Sequence, residues 1–196
     1  MKPTVRSLLK PEERLAAIPQ LAALRIEVFR DWPYLYDGTV EYEARYLREF
    51  AEEPGSVLVV AEMGQEIVGA ATASPLASQK AAFTDAVRRH GLDIDTIFYF
   101  GESVLLPAWR GAGIGHAFFD AREDAARKAG AASTMFCAVV RPDNHSMKPP
   151  GARDLAPFWG ARGYAPVEGL TCTFDWKDIN QPAETSHDMQ FWHRQL

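Results

Sequence analysis

The chain has 196 residues, 47% of them hydrophobic, which suits a single domain with a sizeable core. A formal net charge of −5 leaves no basic field for nucleic acid or an anionic membrane, and no window approaches the roughly 20 apolar residues of a membrane span. The charged N-terminus lacks a signal-peptide apolar run, and Cys137 and Cys172 stand far apart in strand-like stretches, so the expectation is a soluble cytoplasmic protein with two reduced thiols and neither disulfide nor metal.

In chain order, residues 4–9 read as a short strand ended by Pro11. Leu15, Ile18, Leu21, Ala22, Ile26 and Phe29 then recur at helical spacing as far as Arg30. "DWPYLYDG" breaks that helix, and Thr39 can cap the next, whose Tyr42, Tyr46 and Phe50 fall at i, i+4 and i+8. The period changes in "SVLVVAEM" and "EIVGAATASP", two β segments joined through Gly64-Gln65 as a hairpin. A modest helix ends at Gly91, and "TIFYFGESVLLP" reads as a strand. After the glycine-rich run 111–115 comes a helix with Ile114, Ala117, Phe118, Ala121 and Ala125 on one face, stopped by Gly130. "STMFCAVV" is another strand. A polar, proline-rich stretch, a short helix near "LAPFWGARG" and two β segments near 164–168 and 170–176 follow. The domain then spans 1–176, with 177–196 a polar tail that packs on it or on a partner subunit. The order predicts a single mixed α/β sheet with helices on its faces.

Gly111, Gly113 and Gly115 stand between a predicted strand and a predicted helix. Glycines let the backbone approach an anion closely, and the first free N–H groups of a helix favour phosphate. The alternative is a structural turn that packs strand against helix. No G-x-x-x-x-G-K-[ST] occurs, so a P-loop is excluded. His116 stands where a dinucleotide fingerprint needs its last glycine, in mid-chain after an antiparallel hairpin, which argues against a nicotinamide site. "GESVL" starts like a nucleophile elbow but ends on Leu105 instead of glycine, and no close His/Cys cluster suggests zinc.

The stretch fits Arg/Gln-x-x-Gly-x-Gly/Ala. With Leu105, Pro107, Arg110, Gly111, Gly113, Ile114 and Gly115, the "VVAEMGQEIVGAA" hairpin upstream and "FWGARGYAP" downstream, residues 4–176 resemble the GNAT superfamily of acyl-CoA-dependent N-acetyltransferases. That resemblance implies a single-domain fold using acetyl-CoA as cosubstrate and no metal. The pyrophosphate would rest on N–H groups of Arg110, Gly111, Ala112, Gly113, Ile114 and Gly115, with His116 close by. Pantetheine would run along backbone groups of Leu105 and Leu106 like an added strand. A family asparagine that contacts CoA has Ala152 at the matching spacing here. Asn144 is its candidate substitute from the longer loop, or an ordinary turn residue.

The implied reaction is direct attack by a primary amine of a small molecule or peptide, through a tetrahedral intermediate. A lysine-like amine has a reference pKa near ~10.4, so a base is useful, and Glu102 on the cleft strand is the candidate. Its alternatives are binding a cationic substrate or facing solvent near Gly101. The tyrosine that often protonates the leaving thiolate is replaced by Trp159, and an indole is no practical acid. Another tyrosine (Tyr99 is one) or solvent would serve, while Tyr164 reads as core. For the acceptor, the resemblance points to the connection holding Trp32, Tyr34 and Tyr36 beside Asp31 and Asp37. These are aromatic walls with carboxylates for an amphipathic amine, or else loop residues buried against the core. A homodimer through Trp192 and His193 stays open. The alternative function is a non-catalytic acyl-CoA-binding sensor or regulatory module.

Overall fold

The computed structural model describes residues 2–196. Seven strands, β1 (Thr4–Leu8), β2 (Val57–Met63), β3 (Glu66–Pro75), β4 (Ile97–Leu105), β5 (Ser133–Val139), β6 (Ala165–Trp176) and β7 (Thr185–Gln195), form one sheet in the order β1-β2-β3-β4-β5-β7-β6. Every neighbouring pair is antiparallel except β4 and β5, which are parallel and joined through a helical crossover. Five α-helices cover it: α1 (Pro11–Phe29), α2 (Val40–Glu52), α3 (Ala81–Arg89), α4 (Ile114–Lys128) and α5 (Ala156–Ala161).

Strand alternation lets β2 bury both of its faces. Leu58 and Val60 of β2 pack with α1 and α2, while Val57, Val59 and Ala61 pack with α4 and α5 on the other face. A third cluster joins α3 to β5, β6 and β7 through Phe83, Val87, Met135, Leu170 and Phe191. The Gly64-Gln65 turn links β2 to β3 as expected, and Thr39 Oγ1 caps α2 by accepting the Tyr42 N–H at 3.3 Å.

Four element readings differ from expectation. Residues 165–176 are one strand, and the stretch read as a polar tail contributes β7, inserted between β5 and β6. His187, Met189 and Phe191 are its buried face, at a period of two. On α2 the buried stripe is Glu43, Leu47 and Ala51, one position round from the expected tyrosine stripe, and Tyr42 is 46% exposed. On α4 the buried face is Ile114, Phe118, Phe119, Arg122, Glu123 and Ala126. Both charged residues there are accommodated. Arg122 donates to the Phe118 and Thr72 carbonyls and lies over the Phe100 and Phe119 rings, while Glu123 receives Arg162 and Arg194.

Candidate active site

The site starts from a register shift. Ala73 of β3 faces Phe100 of β4, and Ala71 faces Ser103, so Gly101 and Glu102 together oppose the single residue Thr72. This is a β-bulge. Strict alternation would put Glu102 on the face opposite Tyr99; the extra residue brings both to the same face, where they line one cavity. Gly101 is required there, because a Cβ would stand 2.4 Å from Thr72 Oγ1. That hydroxyl oxygen accepts the Glu102 N–H at 3.0 Å and pins the bulge.

The cavity encloses about 590 Å³ between α1, α2, α3 and the sheet. Tyr34, Tyr36, Tyr46, Phe83, Tyr99 and Trp176 supply aromatic wall, and five carboxylates face three cationic side chains around it. Tyr34 is fixed through its carbonyl, which accepts from Arg141 Nη2 (2.7 Å) and Trp176 Nε1 (3.0 Å). Arg141 in turn forms a bidentate pair with Asp178. Burial, then the nearby charges of Cys137 and Glu102, push the Tyr34 hydroxyl above its ordinary range; burial and Glu43 do the same to Tyr36. Trp32 is not in this wall; it packs on His145 at 5.3 Å between ring centroids. Asp37, at the rim, is held below the usual carboxylate range first by its hydrogen bond to Lys177 at 2.8 Å and then by Arg30.

Glu102 meets a partner that its sequence position did not announce. The guanidinium of Arg25 on α1 contacts both Glu102 and Glu43 of α2. Burial alone would lower the Arg25 pKa, but the charges of Glu102, Tyr46 and Glu43 outweigh it and leave it raised. The signal in the sequence was a charged residue, Arg25, inside the apolar stripe between Ala22 and Phe29. Glu43 gave no such signal, since its neighbours Tyr42 and Tyr46 suggested a different buried face.

Beside the bulge the sheet opens. β4 and β5 pair only over Ile97–Tyr99 with Ser133–Met135. Beyond that β4 continues against β3 and β5 against β7, leaving a fork between them. At its far end Leu105 O accepts from Arg110 Nε (3.1 Å) and Leu106 N–H donates to Val68 O (3.0 Å). Gly111 and Gly113 then adopt φ of 82° and 83°, the left-handed turn that feeds α4. Residues 110–113 are exposed around this N-terminus, Ile114 is buried beneath it, and Gly115 packs under Phe158. His116 Nδ1 lies 3.3 Å from Arg162 Nη1, and Lys2 Nζ reaches to 3.8 Å from where a Gly113 Cβ would stand. A backbone cradle at a helix N-terminus, an open fork and nearby cations fit a pyrophosphate with an extended amide arm. Asn144 sits in an exposed turn next to His145.

The tyrosines offer no ready acid. Trp159 packs between Phe136 and Trp192, and the Tyr99 hydroxyl lies 3.0 Å from Cys137 Sγ with its pKa pushed well up by burial. Tyr164 is buried, bonded to Thr134 and Glu123. Both cysteines are free and buried, and no group of potential metal ligands occurs among the described residues.

The model of the acetyltransferase (GNAT) family matches residues 21–149. No protein of curated function matches the chain. Among solved structures it is similar to a ribosomal-protein-alanine N-acetyltransferase from Brucella melitensis, at 14% identity and a TM-score of 0.64, over 98% of this chain and 99% of that one. An aminoglycoside 6'-N-acetyltransferase complexed with coenzyme A aligns at 15% identity and a TM-score of 0.61, over 98% and 96%. The protein yncA of Salmonella typhimurium, solved with its cofactor acetyl-CoA, aligns at 14% identity and 0.59, over 100% and 95%. At such identities these likenesses establish the shared fold.

Proposed function

The chain belongs to the acetyltransferase (GNAT) family, and from that premise we propose that it transfers the acetyl group of acetyl-CoA to a primary amine of a small molecule or peptide. The observation that carries this reading is the β4 bulge, which puts a carboxylate on the floor of an aromatic cavity beside the fork between β4 and β5. N–H groups of residues 110–115 would hold the pyrophosphate, helped by His116, and backbone groups of Leu105 the pantetheine arm; Leu106, expected to share that task, already spends its N–H on Val68 O and its carbonyl on the Trp109 N–H. When bound, acetyl-CoA supplies an activated acyl thioester.

The chain's own residues then have three tasks. The walls of Tyr34 and Tyr36 and the excess of carboxylates favour an amine that arrives as a cation with an apolar body. Glu102 accepts the ammonium proton, directly or through a water, which frees the nitrogen lone pair to attack the acyl carbon. As the tetrahedral intermediate collapses, the nitrogen sheds its second proton to solvent and the departing thiolate takes one up from solvent, an undemanding step for a thiol that titrates near ~8.5. The packing of Trp159 where the family often has a tyrosine favours a second reading, an acyl-CoA-binding module without turnover. Release of CoA thiol across a panel of primary amines separates the two. Glu102→Gln is expected to cut the amine-dependent rate about 10²- to 10³-fold near neutral pH, with the deficit shrinking toward the amine's own pKa. Superimposable pH–rate profiles for wild type and variant would rule out the base role.

A further inference from the structure

Glu102, Arg25 and Glu43 form a triad drawn from three elements, β4, α1 and α2. Their side chains are 13%, 10% and 0% exposed, so solvent screens them little. One guanidinium between two carboxylates leaves one net negative charge. Arg25 is further fixed over the rings of Phe29 (5.1 Å) and Tyr46 (4.8 Å). The Glu43 side chain is fully buried, with its charge set against Arg25 and the Tyr36 hydroxyl. Such a group is costly unless its charge does something for a neighbour.

The neighbour is Glu102. A carboxylate paired one-to-one with an arginine is stabilised in its charged form and accepts a proton poorly. A second carboxylate on the same guanidinium offsets that effect. We propose that Arg25 and Glu43 are positioning residues: Arg25 holds the Glu102 carboxylate on the cavity floor, and Glu43 offsets the arginine's charge so that Glu102 remains a competent proton acceptor. The proposal rests on Glu102 acting as the base. The other groups that face Glu102 are Tyr34 from the α1–α2 connection, Tyr46 from α2, Thr72 from β3, and Arg122 from α4, whose Nη1 donates to the Glu102 carbonyl at 3.4 Å. Lys80 stands 5.9 Å above the Tyr46 ring at the rim. Asp37, Asp175 and Glu184 also line the cavity, but among the described residues Glu43 alone shares the Arg25 guanidinium with Glu102.

The test needs no acceptor. Protein labelled with ¹³C at the glutamate carboxyls is titrated by NMR, with the Glu102 signal assigned by its loss in Glu102→Gln. Glu43→Gln leaves Arg25 and Glu102 as a neutral pair, so it keeps the buried charge balanced. It is expected to move the Glu102 midpoint down by about one pH unit or more, and Arg25→Met to move it up. The double variant, Arg25→Met with Glu43→Gln, should fall between them; it remains informative if Arg25→Met alone does not fold. A Glu102 midpoint unchanged in Glu43→Gln and in the double variant overturns the proposal. The activity profile of Glu102→Gln tests the base role separately. A midpoint that moves while Glu102→Gln keeps full activity overturns that role and leaves the electrostatic coupling standing.

Discussion

Thr72 shows how much one side chain carries. Its hydroxyl oxygen takes the Glu102 N–H at the bulge, beside Gly101, which has no room for a Cβ. Thr72→Val keeps the shape and removes the acceptor, leaving a partly buried N–H unpaired. The expected loss is about 1–3 kcal/mol in urea unfolding, with a fall in turnover as Glu102 loses its anchor. Unchanged stability and turnover would mean the bulge is held elsewhere. Glu102, Tyr34 and Tyr36 were legible as site candidates because each stands out locally: an acid in an apolar strand, and aromatics beside a proline. Glu43 was not, and Arg25 showed only as a charge inside the apolar stripe of α1. Charged residues on helices usually face water, and only the packing of α1 on α2 over the open end of the sheet buries this pair.

At the scale of elements, the approach to α4 joins local chemistry to long-range placement. Gly111 and Gly113 at positive φ let the turn expose its N–H groups. Gly113→Val forces a β-branched residue into the left-handed region, at about 1–2 kcal/mol. Calorimetric titration is expected to show acetyl-CoA affinity reduced at least about tenfold, a change of about 1.4 kcal/mol, while the aromatic cavity is untouched. Equal affinity would place the phosphates elsewhere. The glycine run, the β2–β3 hairpin and most helix limits were readable because local pattern decides them. The bulge was not, since it exists only in the register of β4 against β3. Nor was β7: its period-two signal of His187, Met189 and Phe191 lies in a polar stretch, and only pairing with β5 and β6 makes it a strand.

Over the whole molecule, buried phenols tie stability to alkaline pH. Tyr34, Tyr36, Tyr99 and Tyr164 are raised chiefly by burial, and Tyr46 chiefly by the charge of Glu102 and then burial. The unfolded chain loses these protons near pH ~10 while the folded one retains them, so their contribution is complete below ~10 and is lost as pH rises toward the folded values. Arg122 acts in the opposite sense. Burial lowers it to about 10, so unfolding takes up a proton between that pH and its ordinary value. Arg14, also lowered by burial, acts with Arg122. Five tyrosines against two arginines predict net loss, seen as a lower urea midpoint at about pH 11 than at about pH 9. A midpoint that holds or rises would mean that the phenols are not sequestered as described.

In the proposed reaction a thioester carrier in the fork and an amine in the aromatic cavity meet at Glu102. The most direct measurement follows the label from acetyl-labelled acetyl-CoA in the presence of a panel of amphipathic primary amines, with CoA thiol and acetylated products quantified together. The expected result is one CoA released per N-acetylated amine, faster with the fitting amine than without it, and no acetyl group left on the protein. Acetyl-CoA that stays bound and intact with every amine, or an acetyl group retained on the protein, would contradict direct transfer at this site.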